Sequence, residues 1–157
     1  MSEVIISASD VKALRDQTGA GMMDCKKALT EAGGDFEKAI EVLRKQGQKL
    51  SLKRADREAK EGAVIALVSD DKTKGVVVRL SCETDFVAKN DDFVAFTTKV
   101  AQLALASFPT DKEALEAVSF DGTTTIGEKI LEQVGVIGEK VELADYQKLE
   151  AAYITSY

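Results

Sequence analysis

The sequence predicts an α+β protein in which a small helical bundle precedes a mixed domain with a small antiparallel sheet and further helices. In residues 1–55, apolar side chains recur at helical spacing and glycine pairs interrupt the pattern. Residues 62–69 and 76–82 are instead rich in Val and other apolar residues, and they flank a turn-like Asp-Asp-Lys-Thr-Lys-Gly stretch. A chain of 157 residues with 45% apolar composition can bury one ordinary core and a small satellite domain.

Three short helices are predicted in residues 1–55. Ser9 is the expected N-cap of the first, which runs through Asp16 with Val11 and Leu14 turned inward. The Thr-Gly-Ala-Gly stretch that follows breaks this helix, and a second helix is expected to end near Ala32. Asp35 then caps a third helix. The apolar face of this third helix is expected to consist of Phe36, Ala39, Ile40 and Leu43.

A basic stretch follows the helical bundle. Residues 44–61 lack an apolar stripe, so we expect the third helix to extend here into a linker. Residues 1–60 carry 12 basic and 10 acidic side chains, whereas residues 61–157 carry 9 and 17, for a net charge of −6. Nucleic-acid-binding domains show a basic excess over the whole domain together with stacking aromatic residues. We therefore interpret the basic stretch as a solvated helix face and expect no direct contact with nucleic acid.

The second predicted domain covers residues 56–157 and opens with an antiparallel hairpin formed by the two Val-rich runs. A loop at residues 84–90 then leads into a helix, for which Asn90 is the candidate N-cap and two acidic residues favour the first turn. The buried face of this helix is expected to contain Phe93, Phe96, Val100, Leu103 and Ala104.

Further helices and strands are predicted towards the C-terminal end. Phe108-Pro109 stops the long helix, and a capping box at residues 110–113 starts a short one. Asp121-Gly122 is expected to turn the chain before a helix at residues 124–134, with Ile126, Ile130 and Leu131 buried. Beyond Gly138, alternating apolar residues predict one or two strands. The last strand, at residues 152–157, reaches the terminus without a stop signal, so we expect the second domain to be truncated.

Several function classes are disfavoured by composition. The chain has no histidine, which removes the commonest general base and the commonest zinc ligand. Cys25 and Cys82 are too few for a disulfide framework and are expected to be small buried side chains. We therefore expect no enzyme activity, no metal and no cofactor. No apolar run approaches the ~20 residues that span a bilayer, and the N-terminus lacks a secretory pattern, so we expect a cytoplasmic protein without membrane contact.

The loop at residues 84–90 is the first candidate functional segment. On local physics, two interpretations of Thr84, Asp85, Phe86 and Val87 stay open. In one, Thr84 caps a turn and Phe86 packs into the core; in the other, the loop projects and Phe86 fills a pocket of a partner. A small enzyme that uses Asp85 or Glu83 as a base is disfavoured, because two such carboxylates on a loop are far more often solvated than catalytic.

Two stretches of this sequence resemble elongation factor Ts. Residues 82–89 read Cys-Glu-Thr-Asp-Phe-Val-Ala-Lys, which is similar to the core signature of that family, and residues 14–29 follow its other signature almost position by position. The resemblance continues through residues 126–130 and 154–157. It implies a guanine-nucleotide exchange factor whose partner is elongation factor Tu, in its GDP-bound and nucleotide-free forms. It also implies that Asp85 and Phe86, flanked by Thr84 and Val87, insert beside the Mg²⁺ and nucleotide site of that GTPase.

The resemblance also assigns a role to the helical bundle, which looks like a ubiquitin-associated-type module that docks on the GTPase. Met22 and Met23 could be core residues, but adjacent helical residues point about 100° apart, so we expect one of them to face the partner, and Met suits an adaptable contact surface. Val11, Leu14, Met22 and Met23 are therefore the expected contact residues. Members of the family continue into a second core subdomain, which implies that this chain is the N-terminal part of a longer factor. The alternative is a generic protein-binding module without exchange activity.

One departure from the family pattern lies just upstream of the loop. Arg79 and Ser81 stand where the family more often has Glu and Asn. These positions belong to the predicted supporting strand rather than to the loop itself. The departure therefore affects the contacts that support the candidate segment more than it affects the residues of the segment itself.

Overall fold

The computed structural model of the chain describes residues 4–157. The predicted α+β class is confirmed, with helices first and a small antiparallel sheet in the second half. The elements of the described residues are α1 (Ala8–Thr18), α2 (Met22–Glu31), α3 (Phe36–Lys53), β1 (Glu61–Val68), β2 (Lys74–Cys82), α4 (Asp85–Ala88), α5 (Asp91–Ser107), α6 (Lys112–Glu116), α7 (Ile126–Ile137) and β3 (Glu142–Glu150).

The chain divides into two compact units. The first, called here the helical unit, contains the described residues up to Ala55 together with Leu131–Glu139. The second, called the sheet unit, contains Asp56–Ile130 and Lys140–Tyr157. The residues of α7 are therefore shared between the two units.

Helix α1 begins two residues earlier than predicted. Its N-cap is Ser7, whose Oγ accepts a hydrogen bond from the Asp10 amide at 3.1 Å, while the Asp10 carboxylate accepts from the Ser7 amide at 3.2 Å. This reciprocal pair satisfies two amide groups that the helix itself leaves unbonded. The predicted cap, Ser9, is wrong, because it lies inside the first turn. Gly19 ends the helix in the left-handed conformation, at φ 74°.

The core of the helical unit is built from small and medium apolar side chains. Asp35 caps α3 as predicted, accepting from the Lys38 amide at 3.1 Å. Cys25 is fully buried, and that burial raises the pKa of its thiol. The buried residues of this core are Val11, Leu14, Ala20, Cys25, Ala28, Leu29 and Ala39. Phe36, Ile40 and Leu43 pack against them, so the predicted apolar face of the third helix is confirmed.

The second half of α3 has an inward face that the sequence pattern did not predict. The helix extends to Lys53, as expected, but Gly47 is buried against the backbone of α7. A Cβ placed on Gly135 would lie 3.2 Å from the Gly47 Cα, so the two helices approach almost backbone to backbone. Beside this contact, Arg44 forms an ion pair with Glu132 at 3.3 Å. Leu43 and Leu50, about one helical turn to either side of Gly47, are half-buried, and the glycine between them interrupts the apolar pattern of the sequence.

The sheet unit contains a three-stranded antiparallel sheet in the order β1-β2-β3. The predicted hairpin is confirmed, with Glu61 opposite Cys82 at one end and Val68 opposite Gly75 at the other. Strand β3 pairs with the opposite edge of β2, with a register irregularity between Arg79 and Leu80. Helix α5 packs on β1 and β2 and covers the buried face of the sheet.

The long helix α5 follows the prediction closely. The Asn90 side chain caps it by accepting from the Asp92 amide at 2.9 Å and from the Phe93 amide at 3.3 Å. Phe108 ends it in the left-handed conformation, at φ 48°. The short helix α6 is capped by Asp111 rather than by the predicted Thr110. A capping side chain must stand directly before the first helical residue, and α6 begins at Lys112, one residue later than a cap at Thr110 requires.

The last residues differ from the prediction. Helix α7 runs three residues beyond the predicted end at Val134, and Leu131 is half-buried. A single strand, β3, follows, and the predicted strand at residues 152–157 is wrong. Instead, Ile154 is buried and its amide donates to the Lys72 carbonyl at 2.7 Å.

The turn between β1 and β2 is held by one carboxylate. Asp71 Oδ1 accepts from the Ser69 hydroxyl at 2.7 Å, from the Thr73 hydroxyl at 2.7 Å and from the Thr73 amide at 3.1 Å. These hydrogen bonds favour the ionised form and lower the pKa of Asp71 to about 2. The ionised Asp71 carboxylate therefore stabilises the hairpin turn.

This arrangement gives a pH prediction for the hairpin turn. A carboxylate whose folded pKa is depressed stabilises the fold above its unfolded pKa, and that contribution disappears as the pH falls through the folded pKa. We expect the Asp71 contribution to be complete above about pH 5 and to be lost progressively between about pH 5 and pH 1, through its folded pKa of about 2. An NMR titration of the Asp71 carboxyl checks the value. In the double variant Ser69→Ala, Thr73→Val, the pKa should rise towards the ordinary value of about 3.9; an unchanged pKa would contradict the assignment of the two hydroxyls.

Candidate functional site

The predicted loop after β2 is partly helical. Residues 85–88 form the single-turn helix α4, and Thr84 is its N-cap, with its Oγ1 accepting from the Val87 amide at 3.4 Å. Asn90 then caps α5, so two caps stand six residues apart in the same connection. The chain leaves the sheet, makes one helical turn and enters the long helix. This geometry gives the candidate segment a defined shape rather than that of an open loop.

Phe86 stands at the tip of this turn and is 83% exposed. None of the α4 residues is buried. The interpretation that placed Phe86 in the core is therefore wrong, although its other half, a turn capped by Thr84, is right. An exposed aromatic ring on a short, shaped turn is the form that a binding anchor takes, because its burial by a partner releases water from a large apolar surface.

The charged side chains around Phe86 are also exposed. The Asp85 carboxylate forms an ion pair with Lys89 Nζ at 3.1 Å, one helical turn further on. Exposed pairs of this kind contribute little to stability, so Asp85 can exchange this partner for another at small cost. Val87 is half-buried. Of the four predicted site residues here, Thr84, Asp85 and Phe86 lie on the surface and Val87 lies at their base.

Glu83 connects this segment to a distant part of the chain. Its Oε1 accepts a hydrogen bond from the Lys140 amide at 2.6 Å, across 57 residues of sequence. The sequence suggested Glu83 only as a disfavoured catalytic base. A carboxylate that accepts from the backbone in this way serves to position the chain, and no local pattern could have revealed a partner so far away in sequence.

The second group of predicted site residues is divided between surface and core. On α2, Met22 is 47% exposed and Met23 is 63% exposed. The structure places Val11 and Leu14 in the core of the helical unit instead, at 6% and 0% exposure. Their side chains pack under α2 and are covered by the fold, which follows from the inward spacing that the sequence itself indicated. The two methionines remain as the surface part of this group.

Two further properties of residues 4–157 concern metal binding and membrane spanning. Within these residues, no group of three or more Cys, Asp or Glu side chains is arranged to hold a metal ion. Their helices include none with the length and apolar character needed to cross a membrane.

Comparisons with known proteins agree with the resemblance seen in the sequence. Residues 83–157, which include α4, match the family described as Elongation factor TS. The chain is 54% identical over 152 residues to elongation factor Ts of Christiangramia forsetii, an alignment that covers 97% of this chain and 54% of that protein. It is 55% identical to elongation factor Ts of Flavobacterium psychrophilum over the same shares. Elongation factor Ts of Chloroherpeton thalassium is 51% identical, over 88% of this chain and 49% of its own length.

These alignments also set the extent of the match. The chain spans about half the length of the curated relatives it matches. The similarity runs through both units, with the helical unit and the sheet unit inside the aligned 97%. Residues 83–157 are therefore similar to the Elongation factor TS family, and the chain as a whole is similar to about half of each of these elongation factor Ts proteins.

Proposed function

We propose that this chain is a guanine-nucleotide exchange factor of translation, which binds elongation factor Tu carrying GDP and promotes release of the nucleotide. The observation that supports this most directly is Phe86, which is 83% exposed at the tip of a capped helical turn in a chain similar to elongation factor Ts. In the proposal, Asp85 and Phe86 insert beside the Mg²⁺ and nucleotide site, with Thr84 and Val87 as the base of the wedge.

The physical basis of exchange is differential binding. Phe86 gains free energy when a partner buries its ring, and that gain is available only in the partner conformation that has opened to admit it. If this open conformation holds Mg²⁺ and the phosphates less well, then the factor lowers the affinity for GDP by the coupling free energy. The same coupling requires GDP or GTP to weaken the complex. No covalent bond is made or broken, so the proposed activity needs no catalytic base.

The first contact in this proposal is made by the helical unit. Met22 and Met23 offer flexible, polarisable side chains on the exposed face of α2, and such side chains adapt well to a partner surface. Lys26 and Lys27 follow on the same helix and line the depression beside Met23. We propose that this surface docks on the nucleotide-binding domain of the GTPase while α4 acts at the nucleotide.

The decisive experiment measures release of a fluorescent GDP analogue from elongation factor Tu as this chain is titrated. The proposed function requires the release rate to rise and then saturate with chain concentration. An unchanged rate at saturating chain would refute exchange activity for this half-length chain. A binding measurement by calorimetry on the same samples would then show whether the chain is a binding module without exchange activity, which is the alternative function.

The two exposed methionines give a prediction about docking. Truncation of hot-spot side chains costs more than about 1 kcal/mol each, so Met22→Ala with Met23→Ala should raise the half-saturating concentration roughly tenfold or more. The maximal release rate should change little, because the wedge itself is intact. Leu52→Ala is the matched control, since Leu52 is an apolar residue of the same unit and is 79% exposed. Equal effects of the control and of the double variant would contradict a specific methionine surface.

A further inference from the structure

Helix α4 is too short to hold its own shape. It contains four residues, none of them buried, and it carries the exposed ring of Phe86. The first turn of a helix fixes several backbone angles for a single hydrogen bond, so isolated turns of this length are unstable in water. The ordered position of Phe86 therefore depends on contacts outside the turn.

The local contacts of α4 are weak. The Thr84 cap is long, at 3.4 Å, and the Asp85–Lys89 ion pair is solvent-exposed. Both contacts also lie within the segment, so they shape the turn without fixing it to the sheet unit. Beyond the segment, α4 lies beside β1 and β2, and Val87 and Ala88 are half-buried there. A hydrogen bond to a separate part of the chain adds a directional contact to this packing.

Glu83 makes such a contact. It directly follows Cys82, the last residue of β2, and it stands two positions before the first residue of α4. Its carboxylate accepts from the Lys140 amide at 2.6 Å, which is a charge-assisted and therefore strong hydrogen bond. The point at which the chain leaves the sheet is thus attached to the segment that enters β3.

The donor of this hydrogen bond is itself held in place. Lys140 Nζ donates to the Arg57 carbonyl at 3.3 Å and lies 4.0 Å from the Glu142 carboxylate. Next to Glu83, the Cys82 thiol donates to the Thr84 carbonyl at 3.3 Å. The donor is therefore attached to a further segment of the sheet unit, and the acceptor directly follows the last residue of β2.

We propose that Glu83 is a positioning residue of the exchange site. Its carboxylate holds the root of α4 so that Phe86 is presented in its working orientation before the partner arrives. The effect of Glu83 on nucleotide exchange rests on the proposed function. Its effect on the order of α4 in the isolated chain does not. Without the carboxylate, α4 spends more time in other conformations, and a docked complex inserts its wedge less often.

The kinetic test compares Glu83→Ala and Glu83→Gln in the GDP-release assay with the full chain. Because docking through α2 is unaffected, Glu83→Ala should lower the maximal release rate by about tenfold and change the half-saturating concentration less than about twofold. Glu83→Gln retains an oxygen acceptor of the same reach and should keep at least about half of the rate. Glu142→Ala is the matched control, because it removes a carboxylate close to Lys140 that does not lead into α4.

A second measurement needs no partner. The amides of Ala88, Lys89 and Asn90 donate to carbonyls within the turn, and their hydrogen exchange reports its order. In Glu83→Ala these amides should exchange about tenfold faster, while the amides of α5 and β2 keep their protection. Glu83→Gln and Glu142→Ala should resemble the original chain. If the original chain does not stimulate GDP release, the proposed function fails. The hydrogen-exchange rates of the α4 amides still decide whether Glu83 orders the turn.

Three outcomes would overturn the inference. One is unchanged protection of the α4 amides in Glu83→Ala. Another is an equal loss of α4 amide protection in Glu83→Ala and in Glu142→Ala, which would assign the effect to Lys140 rather than to the connection that leads into α4. The third is a loss of protection spread over β2 and α5 together with a lowered melting temperature, which would make Glu83 a general structural residue.

Discussion

Phe86→Ala should lower the maximal stimulation of GDP release by roughly 30-fold or more and leave the melting temperature of this chain unchanged. An aromatic anchor at the centre of an interface costs about 2 kcal/mol or more when truncated, and each 1.4 kcal/mol corresponds to a tenfold change. The ring is 83% exposed in the isolated chain, so its removal takes almost no packing away from the fold. The measurement is the GDP-release titration, with thermal unfolding on the same protein.

Two other aromatic residues serve as controls for this prediction. Phe93 is 2% exposed in α5, and Phe93→Ala should lower the free energy of unfolding by about 3–5 kcal/mol. Tyr153 is 71% exposed outside the candidate site. Tyr153→Ala should change neither the maximal stimulation of GDP release nor the free energy of unfolding. The wedge proposal requires Phe86→Ala to separate function from stability. A variant that lost stability in proportion to its activity would show that the ring supports the fold.

The Phe86 result depends on a fact that the sequence could not supply. Local patterns predicted the hairpin before α4 and the helix after it, because Val-rich runs and an Asn cap express local physics. Whether a single aromatic ring between them is buried depends on which elements cover it, and that is set by distant residues. The sequence therefore left the two interpretations of Phe86 open, and the structure excluded the buried one.

Contacts between distant residues account for the other differences. The partner of Glu83 is 57 residues away, so no spacing rule could identify it. The failed terminal strand has a related cause. The residues after β3 contact the turn between β1 and β2, which lies far from them in sequence, and the Ala151 amide donates to the Thr73 carbonyl there at 3.0 Å. Ile154 buries its side chain beside Gly75 and donates its amide to the Lys72 carbonyl.

The close contact between α3 and α7 gives the second large prediction, and here two physical effects oppose each other. In an exposed helix interior, Gly→Ala stabilises by about 1 kcal/mol, because Ala restricts the unfolded chain and favours the helix. At Gly47 the added Cβ would instead fall on the Leu131 carbonyl oxygen, with the Gly135 amide nitrogen 3.5 Å away. These neighbours are backbone atoms, which cannot turn aside as a flexible side chain can.

Gly47→Ala should therefore destabilise the helical unit, with the packing effect exceeding the gain in helix propensity. Overpacking of a tight contact costs about 1–3 kcal/mol, and Gly47→Val, which adds a branched side chain, should exceed that range. The expected change is a lower free energy of unfolding in urea, measured through the helical signal. Gln48→Ala is the control, because Gln48 is the next residue of the same helix and is exposed.

The sign of the Gly47→Ala effect decides between a packed contact and an ordinary helix position. A stabilised variant would mean that α3 and α7 do not approach at Gly47, and the pairing of Arg44 with Glu132 at 3.3 Å would then lack its neighbouring contact. A destabilised variant would show that the backbones of α3 and α7 meet at Gly47. Two glycines bring the helix backbones together there, and a close contact of this kind is made by the absence of side chains. The hydrophobic pattern of the sequence cannot record such a contact, so mutation of the glycine is the direct way to detect it.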